Sequence, residues 1–293
     1  MSDSPLQIAL IGHRDDLTAR SEALRRLRGG EVAVIADSLE AAPGENAEFD
    51  AVVVDSSADA GFAIAAGKHV LVAAPVADSL EETEALLRSA QEAGVLLAVG
   101  GLPGNAPANR VILDRLSSGK LGEPGLLRVH CWSGALNGSL TAKLFGHIDL
   151  ALRLFGSSPT ELYSVACGNR SYLQVHLGFA GGGMAVLDFS DRLPAGQGYD
   201  SLSLIGSRGA AYSDDHHNSH LLFTGGHPSA LIDDSGDGLR FEVQGFVDAV
   251  AGEEAPAINS EAILAVCRVL EAIGRSSESA EVLHERGGTY EPA

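Results

Sequence analysis

Lysine is almost missing from this chain. Only Lys68, Lys120 and Lys143 accompany the arginines, and 20 basic residues face 39 acidic ones, for a formal net charge of −19. A surface of that sign repels phosphate backbones and anionic headgroups, which argues against nucleic acid or an anionic membrane as a direct partner. Cysteine is scarce too. Cys131, Cys167 and Cys267 are odd in number and widely spaced, so they make neither a disulfide framework nor a zinc-ribbon pattern, and buried reduced thiols are expected. No apolar run approaches the roughly 18 residues of a membrane span, and the start, Met-Ser-Asp-Ser-Pro, has no basic segment leading into an apolar one. These absences lead us to expect a soluble, cytoplasmic protein. With 293 residues, 45% of them hydrophobic, one large or two ordinary domains are expected.

The hydrophobic pattern alternates at first. Apolar runs at Leu6–Ile11, Val32–Ala36, Ala51–Val54, His69–Val72 and Val95–Val99 read as strands, and helical spacing appears between most of them. The best-marked helix covers 79–93, where Ser79 and Glu82 form a capping-box pair. Strands alternating with helices predict a parallel, doubly wound sheet, because each parallel connection needs a crossover. A further helix is expected from near Asn105 to Ser117-Ser118-Gly119. Beyond Leu126 the runs follow one another with glycine-rich turns: Leu126–Cys131, Glu161–Ala166, Tyr172–Phe179, Met184–Phe189, Ser201–Ile205 and Ala210–Tyr212. Helices are expected near 140–155, 239–251 and 260–275. The fold class is therefore α/β: a Rossmann-like domain over 1–121, then an α+β domain over 122–293 with a large, mostly antiparallel, open-faced sheet.

Residues 67–77 read Gly-Lys-His-Val-Leu-Val-Ala-Ala-Pro-Val-Ala. The segment resembles the "GKHVLCEKPLA" motif of the glucose-fructose oxidoreductase, inositol dehydrogenase and MocA superfamily. Ser118-Gly119-Lys120-Leu121-Gly122-Glu123-Pro124 is similar to the interdomain "GKLGE" signature of that superfamily. Phe189-Ser190, Leu204–Ala210 and Gly245–Val250 resemble its C-terminal sheet and helix, in the same order and spacing. The resemblance implies NAD or NADP as cofactor and a sugar, polyol or related small metabolite as ligand. It also implies a homodimer or homotetramer formed through the C-terminal sheet.

Several stations depart from the superfamily pattern. Where the motif carries Glu-Lys-Pro, with the catalytic lysine in the middle, this chain has Ala73, Ala74 and Pro75. Proton transfer of the kind a lysine supplies is worth roughly 10²–10⁴ in rate, and a methyl group offers none. Of the glycine loop G-x-G-x-x-G only Gly12 remains, in Gly12-His13-Arg14-Asp15-Asp16-Leu17, and Asp15 and Asp16 add negative charge where a pyrophosphate would approach a helix start. Asp37, ending the second strand, matches the acidic residue that holds the adenosine ribose; a turn aspartate before Ser38 is the alternative. The loop after the third strand, Asp55-Ser56-Ser57-Ala58-Asp59, is shorter than the usual Thr-Pro-x-x-x-His segment. Gly104-Asn105-Ala106-Pro107 keeps the proline of an Arg-Phe-x-Pro segment without its arginine. Gly12, His13, Arg14, Asp37 and Pro75 are thus the candidate cofactor residues.

On the substrate side, the resemblance to an Asp-x-x-x-His-x-x-Asp helix points to His147 and Asp149 as catalytic candidates. With Asp149 aligned, His147 is displaced by one residue and Gly146 takes the usual histidine position; packing or capping is the other role open to His147. The cluster Asp214-Asp215-His216-His217 with His220 and His227 lacks any spacing that fixes ligand geometry, and no metal is expected there. Two functions follow. One is an oxidoreductase, the other a catalytically inactive relative that senses a ligand or binds a partner on the same scaffold.

Overall fold

The computed structural model describes residues 4–12, 24–38, 49–134, 140–167, 171–214, 219–224, 229–230 and 238–293, with backbone alone at 219–220. These form two compact units, residues 1–101 with 236–264, and residues 102–235 with 265–293. The units are not contiguous in the chain. The division expected at 121/122 differs from them because residues 102–121 cluster with the second sheet and a late helix returns to the first.

In the first unit, β1 (Leu6–Ile11), β2 (Gly30–Ala36), β3 (Ala51–Val54), β4 (His69–Ala73) and β5 (Leu97–Gly100) lie in the order β2-β1-β3-β4-β5, all parallel. Two helices follow β3 and β4: α1 (Ser57–Ala65) and α2 (Leu80–Ala93). Helix α2 starts as expected, with the Ser79 Oγ accepting the Glu82 amide at 3.1 Å, and Gly94 stops it in the left-handed conformation at φ 68°. Helix α1 buries Ala60, Ala63 and Ile64. The opposite sheet face carries Ile8, Leu10, Ala51, Val53, Leu71 and Ala98, all buried with Val243, Phe246 and Val247. Those last three come from a helix formed by Gly238–Val250, named α5 because α3 and α4 precede it in the chain. Each such side chain contributes roughly 1.5–3 kcal/mol by leaving water. A clamp fixes the helix: the Gln244 amide accepts from the Arg28 N–H (2.8 Å) and donates to the Arg28 carbonyl (3.0 Å). Gly30 makes room for it, since a Cβ there would lie 3.0 Å from Val247 Cγ2.

The second unit begins with α3 (Pro107–Ser117), whose N-cap is Ala106 rather than the expected Asn105, with Pro107 at the first helical position. Its sheet has ten strands. At the centre β6 (Pro124–Gly134) pairs antiparallel with β10 (Gly198–Gly206) and parallel with β9 (Met184–Leu193). Antiparallel neighbours continue outward, with β7 (Glu161–Cys167) and β8 (Tyr172–Gly178) on one side and β11 (Ala210–Asp214) on the other. Short edge strands absent from the expected pattern complete it: β12 (Ser219–Phe223), β13 (Ser229–Ala230), β14 (Leu283–Arg286) and β15 (Thr289–Pro292). Helix α4 (Leu140–Phe155) packs on β6 and β9 and buries Phe145, Ile148 and Leu154. Helix α6 (Ser260–Ser279) is locked to β7 by two serines: Ser276 Oγ accepts the Ser164 N–H at 3.0 Å and Ser164 Oγ donates to the Ile273 carbonyl at 2.7 Å. Along β8, Leu173, Val175 and Leu177 are buried, whereas Tyr172, Gln174 and His176 face out, so one face is covered and the other is open.

Two of the sequence signatures turn out to be halves of one contact. The turn at Leu121–Glu123 docks on the turn at Gly206–Arg208: Arg208 N–H donates to Leu121 O (3.0 Å), Ser207 N–H to Glu123 O (2.9 Å) and Glu123 N–H to Ser207 Oγ (3.0 Å). Gly122, at φ 70°, lies so close to Ser207 Oγ that a Cβ would collide with it. No helix among the described residues is long and apolar enough to cross a membrane.

Candidate functional site

In an open parallel sheet, ligands bind outside the carboxyl ends of the strands, where the chain order reverses. Here the reversal falls between β1 and β3. Gly12 leaves the end of β1, and its N–H donates to the Ala36 carbonyl at 3.1 Å, which sets Gly12 beside Asp37 at the end of β2. Asp37 is exposed and Gly12 half-buried. A carboxylate flanking a glycine at this edge suits the two hydroxyls of a ribose, so the adenosine half of a dinucleotide fits the residues present. His13 and Arg14 lie outside the described residues, as do Asp15, Asp16 and Leu17.

The loop after β3 is taken up by a helix cap. Ser56 Oγ accepts the Asp59 N–H (3.1 Å) and donates to Asp59 Oδ2 (2.6 Å), so α1 starts at Ser57 and occupies nine residues. At the end of β4, Ala74 is 8% exposed and its N–H donates to the Gly100 carbonyl at 3.0 Å; Pro75 follows through a cis peptide bond. Ala73 and Ala74 put no titratable group at this station. Beside it, Glu242 of α5 uses Oε2 to accept the Gly101 N–H at 2.7 Å, and a Cβ on Gly100 would lie 2.6 Å from Glu242 Oε1. This carboxylate, invisible to motif reasoning, holds the turn that ends β5.

The intact part of the 67–77 motif has a structural explanation. Gly67 adopts φ 72° at the exit of α1, Lys68 Nζ donates to the Phe49 carbonyl at 2.6 Å, and His69 Nδ1 accepts the Leu96 N–H at 3.0 Å. Burial lowers the His69 pKa, with the Asp50 charge opposing, which keeps the ring in the neutral form that accepts this bond.

In the second unit, His147 and Asp149 sit on different sides of α4, because two residues on a helix are separated by roughly 200°. They do not act on each other. Asp149 is buried and pairs with Arg153 one turn on, Nη1 to Oδ2 at 3.4 Å. Burial pushes its carboxyl up to about 6 against the pull of the guanidinium. Arg153 in turn lies over Gly104, where a Cβ would stand 2.6 Å from Nη1. An arginine thus does reach the 104–107 segment, but from α4.

His147 faces the sheet. Its Nδ1 is 2.9 Å from the Lys143 carbonyl, its Nε2 3.3 Å from Asp200 Oδ2, and Phe189 packs edge-on against the ring at 5.7 Å. Cys131 stands directly opposite Asp200 across β6 and β10, and Phe189 opposite Cys131 across β6 and β9. The ligand atoms of Cys131, His147 and Asp200 all lie within 4.8 Å of one another. Burial favours the neutral imidazole, but the hydrogen bond and charge of Asp200, with the Lys143 carbonyl, outweigh it and raise the His147 pKa. Burial would likewise raise the Asp200 pKa, yet the His147 bond and charge, aided by Cys131, bring it down. Neither Cys131 nor Asp200 was singled out from the sequence; strand alternation plus the β6–β10 register is the signal that pairs them. Of the proposed histidine cluster, Asp214 ends β11, whereas Asp215, His216, His217 and His227 lie outside the described residues and His220 is described by backbone alone.

Residues 2–101 match the model of an oxidoreductase family with an NAD-binding Rossmann fold. Over 67 residues the chain is 42% identical to 1,5-anhydro-D-fructose reductase of Ensifer adhaerens, covering 23% of this chain and 20% of that protein. Over 170 residues it is 30% identical to the uncharacterized oxidoreductase YrbE of Bacillus subtilis, covering 51% and 49%. The matches thus span less than half of the length of these curated relatives. Among solved structures, an Agrobacterium radiobacter oxidoreductase in complex with NAD+, L-tartaric acid and magnesium superposes with a TM-score of 0.80 at 15% identity, covering 96% of this chain and 98% of that one.

Proposed function

The chain belongs to the glucose-fructose oxidoreductase, inositol dehydrogenase and MocA superfamily through its NAD-binding Rossmann domain, and from this premise we propose that it binds NAD at the carboxyl edge of the five-stranded sheet and acts as an oxidoreductase on a sugar, polyol or related small metabolite. The observation that carries the reading is the juxtaposition of Gly12 and Asp37 where β1 and β2 end. Asp37 would accept hydrogen bonds from the adenosine ribose, and its charge would repel a 2′-phosphate, favouring NAD over NADP. When bound, NAD would supply a hydride acceptor; Gly12 would let the protein backbone come close to it, and Asp37 would orient the ribose. The sugar or polyol class is supported by the likeness to the anhydrofructose reductase. Self-association through the open face of the ten-stranded sheet, which exposes Trp132, Tyr172, Met184 and Ile205, belongs to the same reading.

Thermal unfolding with each of NAD, NADH, NADP and NADPH tests it. A ligand at 100 times its dissociation constant adds about 2.7 kcal/mol of stability. We expect an upward shift with NAD or NADH that exceeds the shift with the phosphorylated pair; no shift with any of the four would sink the proposal. A second reading, a binding protein without turnover, is favoured by the alanines at 73 and 74. Stabilisation by NAD with no reduction of it across a panel of polyols and sugars would select that reading.

A further inference from the structure

We propose that Cys131, His147 and Asp200 form a binding site for a zinc-type divalent transition metal inside the second unit. The fold brings these three side chains together from distant parts of the chain: β6 and β10 supply Cys131 and Asp200 as a cross-strand pair, and α4 lays His147 over them.

A backbone carbonyl can only accept, so the 2.9 Å contact with Lys143 requires the proton on His147 Nδ1. In the neutral ring, Nε2 then turns a bare lone pair toward Asp200 Oδ2 at 3.3 Å, an acceptor facing an acceptor. The Nε2 lone pair and the Asp200 carboxylate thus converge on one point, where a proton or a metal ion can be held between them. The thiol of Cys131 adds a third electron-pair donor to the same point.

Geometry and chemistry select the cation. Zinc–ligand bonds of about 2.0–2.3 Å put the ligand atoms of a tetrahedral site about 3.3–3.8 Å apart. The observed spacing, at most 4.8 Å, is within reach of small side-chain rotations. Sulfur and imidazole favour zinc, cobalt or copper over calcium or magnesium, which seek oxygen. The Nδ1–carbonyl contact is the outer partner that metal-bound imidazoles commonly have, and the edge of Phe189 holds the ring plane. Cys131 and His147 are buried, but the Asp200 side chain is 46% exposed, leaving a side from which metal and a fourth, water ligand can enter. Binding displaces the Nε2 proton of His147 and converts the Cys131 thiol to a thiolate, releasing two protons to solvent.

The experiment uses full-length protein without a histidine tag, stripped with chelator and titrated with Co²⁺. We expect a sulfur-to-cobalt charge-transfer absorption that saturates at one metal per chain, disappears on adding Zn²⁺, and is absent from Cys131→Ser. Cys167→Ser, whose thiol is exposed on another strand, should keep it. Because Cys131→Ser alters a buried position, Asp200→Asn is the second variant: with an unchanged far-ultraviolet spectrum, it should bind Zn²⁺ at least tenfold more weakly. A band that survives Cys131→Ser, a stoichiometry far below one, or unchanged zinc affinity in Asp200→Asn would overturn the proposal. The outcome does not depend on whether NAD binds.

Discussion

His69 Nδ1 accepts the N–H of Leu96 at 3.0 Å, joining the first residue of β4 to the residue that leads into β5. The bond needs a neutral imidazole, since a proton on Nδ1 would meet the amide hydrogen head-on. The pKa of His69 is lowered on folding, chiefly by burial, so its contribution is complete above the unfolded value of 6.5 and is lost as pH falls through the folded value. We expect His69→Asn, which offers an acceptor that does not titrate, to flatten the decline in melting temperature between pH 7.5 and 5, by an amount corresponding to about 1 kcal/mol. Calorimetry of both proteins across that range is the check; parallel curves would refute it.

In the function proposed above, Asp37 would set the cofactor preference. Asp37→Ala should weaken NAD binding about tenfold, roughly 1.4 kcal/mol, while leaving NADP binding unchanged or improved. Dissociation constants for both cofactors, measured by titration calorimetry, give the ratio. An unchanged ratio would return Asp37 to its role as a turn residue.

Ser276 is an acceptor for a buried amide. Ser276→Ala leaves the Ser164 N–H without its partner and removes the bond to the Glu281 carbonyl at 2.7 Å. An unsatisfied buried donor costs about 1–3 kcal/mol, so chemical denaturation should show a loss of that size. Ser277→Ala, one residue along, removes only a bond to the Gly274 carbonyl in the same helix and should cost far less.

Gly122→Ala tests the docking of the two turns. A residue with Cβ at φ 70° is strained by about 1 kcal/mol or more, and the collision with Ser207 Oγ adds to it. We expect a destabilisation of about 2–3 kcal/mol. Gly119→Ala, at φ 72° with open space around it, should show the strain alone.

The parallel strands and α2 were legible because their signals are local: apolar runs bounded by Gly and Asp, and a serine three residues before a glutamate. The extent of Leu6–Ile11, Ala51–Val54 and the 140–155 helix follows directly from such patterns. The edge strands β12 to β15 were not legible, since they are short and partly exposed and owe their conformation to a neighbour's hydrogen bonds. The sequence marks a helix near 239–251 but not that Val243, Phe246 and Val247 cover the first sheet, because that contact joins positions far apart in the chain. At the site, helical geometry alone separates His147 from Asp149, whereas its true partner Asp200 depends on the pairing of β6 with β10, which composition and period do not encode.

The late return of α5 also imposes an order of events during synthesis. Ile8, Leu10 and Leu71 wait for Val243, Phe246 and Val247 until most of the chain has left the ribosome, so the parallel sheet holds a bare greasy face throughout that interval. The first unit is therefore expected to mature only after residues 238–250 have been made. A chain ending at Gly101 keeps every strand of the sheet yet lacks its lid of side chains, and should be recovered as aggregate or chaperone-bound material; adding residues 238–250 back as a separate peptide should restore its solubility.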